Sequence, residues 1–504
     1  MRSGHDEGRV LLTVGQLAEP LTGRHWDAPA VTREVSARAA RYRRAGLRAG
    51  DRVFLHFGNR LEFFAELLAL WRLGAVAVPV DGGLTRVELE RLSELVAPRF
   101  SVVDDASDAA TARALPSGVP VLDATERLPA AELPEDQARG GDDALVLFTS
   151  GSSGVPKGVV HTHASLAARW RALGQELGLD AYARTLCLLP SHFGHGLICN
   201  SLFPWLAGQD LFITPPFRPD ILLRLGTLVD EHRISFLSSV PALWRLALRV
   251  ARPPRGGTLR RVHCGSAPLP GALWQQVQEW AGTDEVFNTY GLTETGSWVA
   301  GTSRGPFTPA DGLIGPPWGA TLHIARAEDG TPCGPGETGH VWIESAALMR
   351  GYLGQDELTR RALVAGRFAT GDLGLLDERG WLHLRGRERD EINKGGMKIA
   401  PAEVDGAAEG CPRVADVCAF ALDDPLYGQN VGVAVTLGEG DEAAGVRDLY
   451  RWMRGRLAEG KLPARWWLLP AIPRSERGKV SRDAVREACV GRPPLDLARI
   501  LQGP

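Results

Sequence analysis

Short apolar runs alternate with amphipathic stretches through the first part of the chain. Arg52 to His56 has the length and apolar character of a strand, Glu62 to Leu73 spaces its apolar positions as a helix does, and Ala75 to Val80 is again a strand. The same grammar continues through Phe100 to Val103, Ala144 to Phe148 and Thr185 to Leu189. It predicts an α/β domain built on a largely parallel sheet with helices on both faces. After about residue 300 the texture changes to Gly/Pro punctuation, with alternating strand patterns around Leu322, Val341 to Ile343 and Trp381 to Leu384. A β-rich subdomain is expected there. The charged run Arg385 to Glu391 breaks the pattern, and a fresh βαβ-like pattern follows over Val414 to Leu437 and Ala443 to Leu457. The expected fold is therefore α/β, with a large N-terminal domain over 1–385, a connector at 386–390 and a small α+β domain over 391–504. No internal repeat is present, which excludes a solenoid.

Composition narrows the class. A chain of 504 residues exceeds one ordinary hydrophobic core, and 44% hydrophobic with 23% charged residues is the balance of a soluble globular protein. A net charge of -3 gives no general attraction to nucleic acid or anionic lipid. The Arg-rich stretch Arg33 to Arg48 reads as a solvated helix face. Seven scattered cysteines without a C-x-x-C pair read as reduced, buried thiols. Residues 1–15 lack the basic start and apolar run of a signal peptide, and no stretch is long and apolar enough to span a membrane, so a cytoplasmic protein is expected.

The strongest chemical signal is Thr149-Ser150-Gly151-Ser152-Ser153-Gly154-Val155-Pro156-Lys157-Gly158, which follows the apolar run Ala144 to Phe148 directly. Glycines let backbone N–H groups turn toward phosphate oxygens, the hydroxyls donate hydrogen bonds and Lys157 supplies a cation, so an ATP polyphosphate is the natural guest. A flexible Ser/Gly linker is the alternative, but linkers seldom join two strand patterns with Pro-Lys-Gly at the junction. The common P-loop is excluded, because it needs Gly immediately before Lys and a hydroxyl after it, where this chain has Pro156 and Gly158.

The segment resembles the TSG-[ST]-TG-x-PKG motif of the adenylate-forming superfamily, which includes acyl-CoA and aryl-CoA ligases, luciferase and the adenylation domains of peptide synthetases. Only Ser153 departs from it. Further motifs follow in the family's order from Ala69 to Lys479. The stretch Asn288 to Thr295 is similar to the Y-G-x-T-E element: the resemblance implies that Tyr290 packs on adenine beside Asn288 and Gly291, Thr293 approaches phosphate, and Glu294 holds Mg²⁺. Gly265-Ser266-Ala267 looks like the adenine-edge segment, with Ser266 in place of a glycine. Asp372 of Thr370-Gly371-Asp372 matches the aspartate that holds the ribose hydroxyls, and Arg387 the arginine that contacts ribose or phosphate. Arg389 falls at the hinge about which the small domain turns, Gly395 and Gly396 at the loop that enters for thiol transfer, and Lys479 at the lysine that binds the acyl carboxylate and α-phosphate.

The resemblance implies ATP-dependent activation of a small-molecule carboxylic acid to acyl-AMP with release of pyrophosphate, then transfer to a thiol. Pro190 to Leu197 falls at the acyl-pocket motif, with His192, Phe193 and His195 in it and His263 and Trp298 flanking neighbouring motifs; Phe193 stands where several relatives have histidine. No aspartate between Leu189 and Gln209 is placed to pair with an α-ammonium, which disfavours an α-amino acid. The short span from Gly339 to Asp372 lacks room for the insertion of fatty acyl-AMP ligases and favours CoA as acceptor. The alternatives are a carrier protein or an amine as acceptor, and, from another class, a silent nucleotide-binding scaffold. Lys157, Glu294, Asp372 and Lys479 together speak against the scaffold. Neither the acid nor the oligomeric state follows.

Overall fold

The computed structural model describes residues 13–104, 115–149, 156–215, 218–303, 306–326, 330–387, 391–438, 440–473 and 480–502. Among them, one seven-stranded sheet has the order Gly351–Tyr352, Lys157–Thr162, Asp143–Thr149, Val76–Pro79, Arg52–Leu55, Phe100–Val103, Val121–Asp123. It is parallel from Asp143–Thr149 onward and antiparallel at its other end. An eight-stranded sheet carries Arg184–Cys187, Phe236–Ser239, Arg261–Gly265 and Val286–Leu292 as parallel neighbours, closed by the antiparallel Ser297–Gly301. Helix Leu61–Arg72 is buried from Leu61 to Trp71, and its apolar side chains share one core with strands of both sheets. That position explains a helix apolar nearly all round.

The reading of the Arg-rich stretch as a solvated face holds for Arg33, Arg43, Arg44 and Arg48, which are exposed, and is corrected at two positions. Helix Ala28–Arg44 starts at Asp27, whose carboxylate accepts from the Ala30 N–H at 2.8 Å, but Arg38 and Arg41 are buried. Both pair with the buried Glu66, at 3.1 and 2.6 Å, and Tyr42 donates to the same carboxylate at 2.5 Å. A buried carboxylate demands such partners. Charge counting along one helix does not see it, because Glu66 lies on another.

The β-rich part is an antiparallel sheet ordered Leu313–Gly315, Leu382–Arg387, Arg367–Leu376, Gly339–Glu344, Thr321–Ala325, with Leu363–Val364 also paired to Arg367–Leu376. Beyond it, Val414–Asp424 and Gly428–Leu437 form an antiparallel hairpin rather than the start of a βαβ unit. Asp424 sets the turn by accepting from the Leu426 and Tyr427 N–H groups at 2.8 Å each. The βαβ unit comes one strand later: Gly428–Leu437, helix Glu442–Arg454, then Arg465–Leu468 in parallel register with the first. This part packs its own apolar clusters around Leu449, Trp466 and Phe420. The seven cysteines are free thiols, all but Cys333 buried. No helix among the described residues is long and apolar enough to cross a membrane.

Candidate active site

Strand Asp143–Thr149 ends at the phosphate-loop segment, and the chain returns as Lys157–Thr162, which sets Lys157 opposite Thr149. Ser150, Gly151, Ser152, Ser153 and Gly154 lie outside the described residues. The Lys157 ammonium stands 5.5 Å over the ring of Tyr352, and the Tyr352 hydroxyl donates to Glu294 Oε1 at 2.9 Å. Burial and the neighbouring Glu294 charge push that phenol well above its ordinary value, so it remains a donor. The cation, the ring and the carboxylate thus form one group, with Thr293 beside Glu294 in the turn Thr293–Thr295. Sequence spacing gave no hint of Tyr352, which sits on a two-residue strand far along the chain.

Two buried side chains hold that turn, and the motif reading missed both. His161 Nε2 lies 2.7 Å from the Thr293 carbonyl oxygen and donates to it, while Nδ1 meets Ser165 Oγ at 3.1 Å. Arg169 donates to the carbonyls of Thr295 at 3.1 Å and Trp318 at 2.7 Å. The available signal for His161 was a polar residue inside the apolar strand Lys157–Thr162. Burial lowers its imidazole to about 4. An unfolded chain takes up that proton near 6.5, so acidification protonates the unfolded state first and stability falls with pH from 6.5 to about 4. The whole window is worth on the order of 3 kcal/mol. Denaturant midpoints should fall across it, and less so in His161→Gln.

Tyr290 and Asp372, the residues that the resemblance gives to the nucleotide, come from different sheets and meet, the phenol donating to Asp372 Oδ2 at 2.5 Å. Asp372 faces Arg387 across its own sheet; the Arg387 side chain is outside the described residues. Asn288 turns inward, its amide donating to the Leu313 carbonyl at 2.7 Å and tying two sheets together. Gly265 ends strand Arg261–Gly265, followed by Ser266 and the half-buried Ala267. Ser266 has φ of +64°, a left-handed conformation that explains glycine as the resembled residue.

The Pro190 to Leu197 segment, which the resemblance gives to the acid, is anchored by Asn59, another residue without a motif. Its amide donates to the carbonyls of Leu189 and Thr214 at 2.8 and 2.9 Å, and its oxygen accepts from the Ser191 N–H and hydroxyl at 2.9 and 2.5 Å. His192 lies 3.6 Å from Asp81 and edge-on to Phe193. A Cβ on Gly196 would fall 2.4 Å from the Pro190 carbonyl oxygen, so only glycine lets the π-helix His195–Leu202 start this close. His195 is fixed at both nitrogens, Nδ1 to Ser266 Oγ and Nε2 to Ser238 Oγ, each 2.7 Å. Trp298 and His263 are enclosed behind it.

Hairpin Ile392–Lys394 and Met397–Ile399 reaches the same place. Asn393 donates to the Ser266 carbonyl at 2.8 Å and accepts from the Gly396 N–H at 2.9 Å, and Gly395 packs near Ala242. Lys461 bridges Glu403 at 2.6 Å and Glu88, on helix Arg86–Val96, at 2.9 Å. Arg389 and Lys479 lie outside the described residues.

Residues 22–353 match the family described as AMP-binding enzyme, and residues 403–479 match the AMP-binding enzyme C-terminal domain. The chain belongs to the AMP-binding enzymes. It is 32% identical to the long-chain-fatty-acid–CoA ligase FadD13 of Mycobacterium tuberculosis, over 88% of this chain and 89% of that protein. It is 31% identical to feruloyl-CoA synthase of an Amycolatopsis species, over 92% and 94%. In fold it is similar to o-succinylbenzoate CoA synthetase of Bacillus subtilis bound with its product analogue, at TM-score 0.84, 24% identity and 96% of each chain. It is also similar in fold to the amide bond synthetase McbA of Marinactinospora thermotolerans, at TM-score 0.82, 24% identity and 95% and 98% coverage. An AMP-binding enzyme of this kind, related to acyl-CoA and aryl-CoA ligases, is an AMP-forming acid–thiol ligase.

Proposed function

We propose that the chain condenses a carboxylic acid other than an α-amino acid with ATP to give acyl-AMP and pyrophosphate, and passes the acyl group to CoA. The observation that carries this reading is the convergence of Thr149 and Lys157, Thr293 and Glu294, and the Tyr290–Asp372 pair with hairpin 392–399 seated on Ser266. Tyr290 and Asp372 would take the adenosine, Asp372 accepting from ribose hydroxyls. The carboxylate of the acid attacks the α-phosphorus, the bond to the pyrophosphate oxygen breaks, and no side-chain nucleophile is required. Lys157 and Lys479 would disperse the charge that builds up on two anions forced together. The Glu294 carboxylate is the hard oxygen ligand that suits Mg²⁺, which when bound neutralises phosphate charge. We assign 1–385 to the large domain, 386–390 to the hinge around Arg389, and 391–504 to the small domain.

ATP–pyrophosphate exchange against a panel of aliphatic and aromatic acids tests adenylation: acid-dependent exchange supports it, and none with any acid, in folded protein that binds ATP, refutes it. Adding CoA, a carrier protein or an amine then identifies the acceptor, with consumption of CoA expected. Lys461 joins the two parts of the chain through Glu88 and Glu403. Glu88→Gln should therefore slow thioester formation roughly fivefold, the value of ~1 kcal/mol from a partly buried bridge, with pyrophosphate exchange much less affected. Equal slowing of both steps would show that the bridge does not favour the transfer arrangement.

A further inference from the structure

We infer that the acid pocket ends at His195 and Ser266, so that this ligase activates acids with a short, uncharged tail. The inference rests on the adenylation reading, in which Thr293 approaches the phosphate that the acid's carboxylate attacks. A Cβ placed on Gly194 would be 3.6 Å from Thr293 Oγ1 and 3.5 Å from Leu147 Cδ1, which puts Gly194 against the residue assigned to that phosphate. The next residue is His195, one Cα step of about 3.8 Å farther on. Its ring is no loose flap. Held by Ser266 on one side and Ser238 on the other, both at 2.7 Å, it spans the gap between the π-helix, the adenine-edge segment and strand Phe236–Ser239.

Behind that ring the described side chains form a closely set group of aromatic rings. Trp298 packs edge-on to His195 with centroids 5.5 Å apart, and His263 edge-on to Trp298 at 4.5 Å. Phe236, Phe287 and Trp318 close around His263 at 5.0, 5.5 and 5.7 Å. All of these rings are buried, as is Ser238. Swinging His195 aside would strand the Ser238 hydroxyl in this interior and force rings apart, each a cost that a tail would have to offset. A long acid therefore has no path along this wall.

The Ser266 substitution now has a structural reason. A serine at φ +64° is strained where glycine is not, yet only its hydroxyl anchors His195 Nδ1. The same residue offers its carbonyl to Asn393, so the pocket floor and the thiol-side hairpin meet at one position. Charge selection follows from the same geometry. Burial lowers His195 to about 3, which leaves it neutral and without attraction for a second carboxylate. The Arg261 guanidinium lies over the rings of Tyr182 and Phe287 and is paired with Glu285 at 2.8 Å, and that of Arg169 is engaged by the Trp318 and Thr295 carbonyls.

The test is kcat/KM for ATP–pyrophosphate exchange with acetate, propionate, butyrate, octanoate, dodecanoate and malonate. The wild-type chain should prefer the short monocarboxylic acids over octanoate and over malonate by about tenfold or more. His195→Ala should move the preference toward octanoate by about tenfold, and Ser266→Gly, which also relieves the backbone, should move it in the same direction. Preference of the wild-type chain for octanoate or dodecanoate overturns the inference and leaves adenylation standing, as does an unchanged length profile in both variants. Exchange with none of these six acids but with an aromatic acid also overturns the inference alone, and exchange with no aliphatic or aromatic acid overturns adenylation itself.

Discussion

Lys479→Ala is expected to lower acid-dependent ATP–pyrophosphate exchange by about 10²–10³-fold while leaving thioester formation from supplied acyl-AMP close to the wild-type rate. The asymmetry follows from the two half-reactions. In the first, an acid carboxylate must approach a phosphate, and a lysine that bridges both anions stabilises the charge of the transition state more than that of the separated reactants. In the second, a thiol attacks a mixed anhydride that is already activated, and that electrostatic task is gone. Rapid quench with radiolabelled pyrophosphate measures the first step, and chromatography of acyl-CoA formed from synthetic acyl-AMP measures the second. Equal loss of both would contradict the assignment of Lys479 to adenylation.

Gly396→Val should do the reverse. Gly396 has φ of +102°, and a Cβ there would lie 3.3 Å from Val240 Cγ1 and 3.5 Å from Ser266 Cβ. A β-branched side chain meets a disfavoured left-handed backbone conformation and has to push its γ carbons past Val240 and Ser266. The hairpin can no longer seat on Ser266, and thioester formation should fall by more than about tenfold, since a misplacement near 1 Å is enough for such a loss. Pyrophosphate exchange should change little if, as proposed, the hairpin serves the transfer step. A variant that lost exchange in parallel would show instead that this hairpin serves the first step.

The backbone of this account was legible in the sequence for a physical reason. Strands such as Asp143–Thr149 and Arg52–Leu55 are buried on both faces, and burial on both faces writes itself as an uninterrupted apolar run. Motif residues whose job is local were legible too, since a turn or a strand end carries its chemistry in consecutive positions. What escaped was every long-range polar contact. His161 to Thr293 spans 132 residues, Asn59 to Ser191 the same, and Tyr352 to Glu294 58. Each of these side chains acts by holding a motif rather than by belonging to one, so no spacing betrays it. The Val414 to Leu437 segment shows a different limit: two apolar strands in succession look alike whether the chain crosses over or turns back, and only the Asp424 turn decides. The Arg33 to Arg48 reading held at the exposed Arg33, Arg43, Arg44 and Arg48 and failed at Arg38 and Arg41, because solvation of a charge depends on the helix packed against it.

The position of ATP cleavage is the most direct test of the central claim. With ATP, CoA and butyrate, separation of nucleotides by ion-exchange chromatography should show AMP formed in step with butyryl-CoA, with no ADP. Accumulation of ADP and phosphate, or AMP formed without dependence on the acid, would contradict the account.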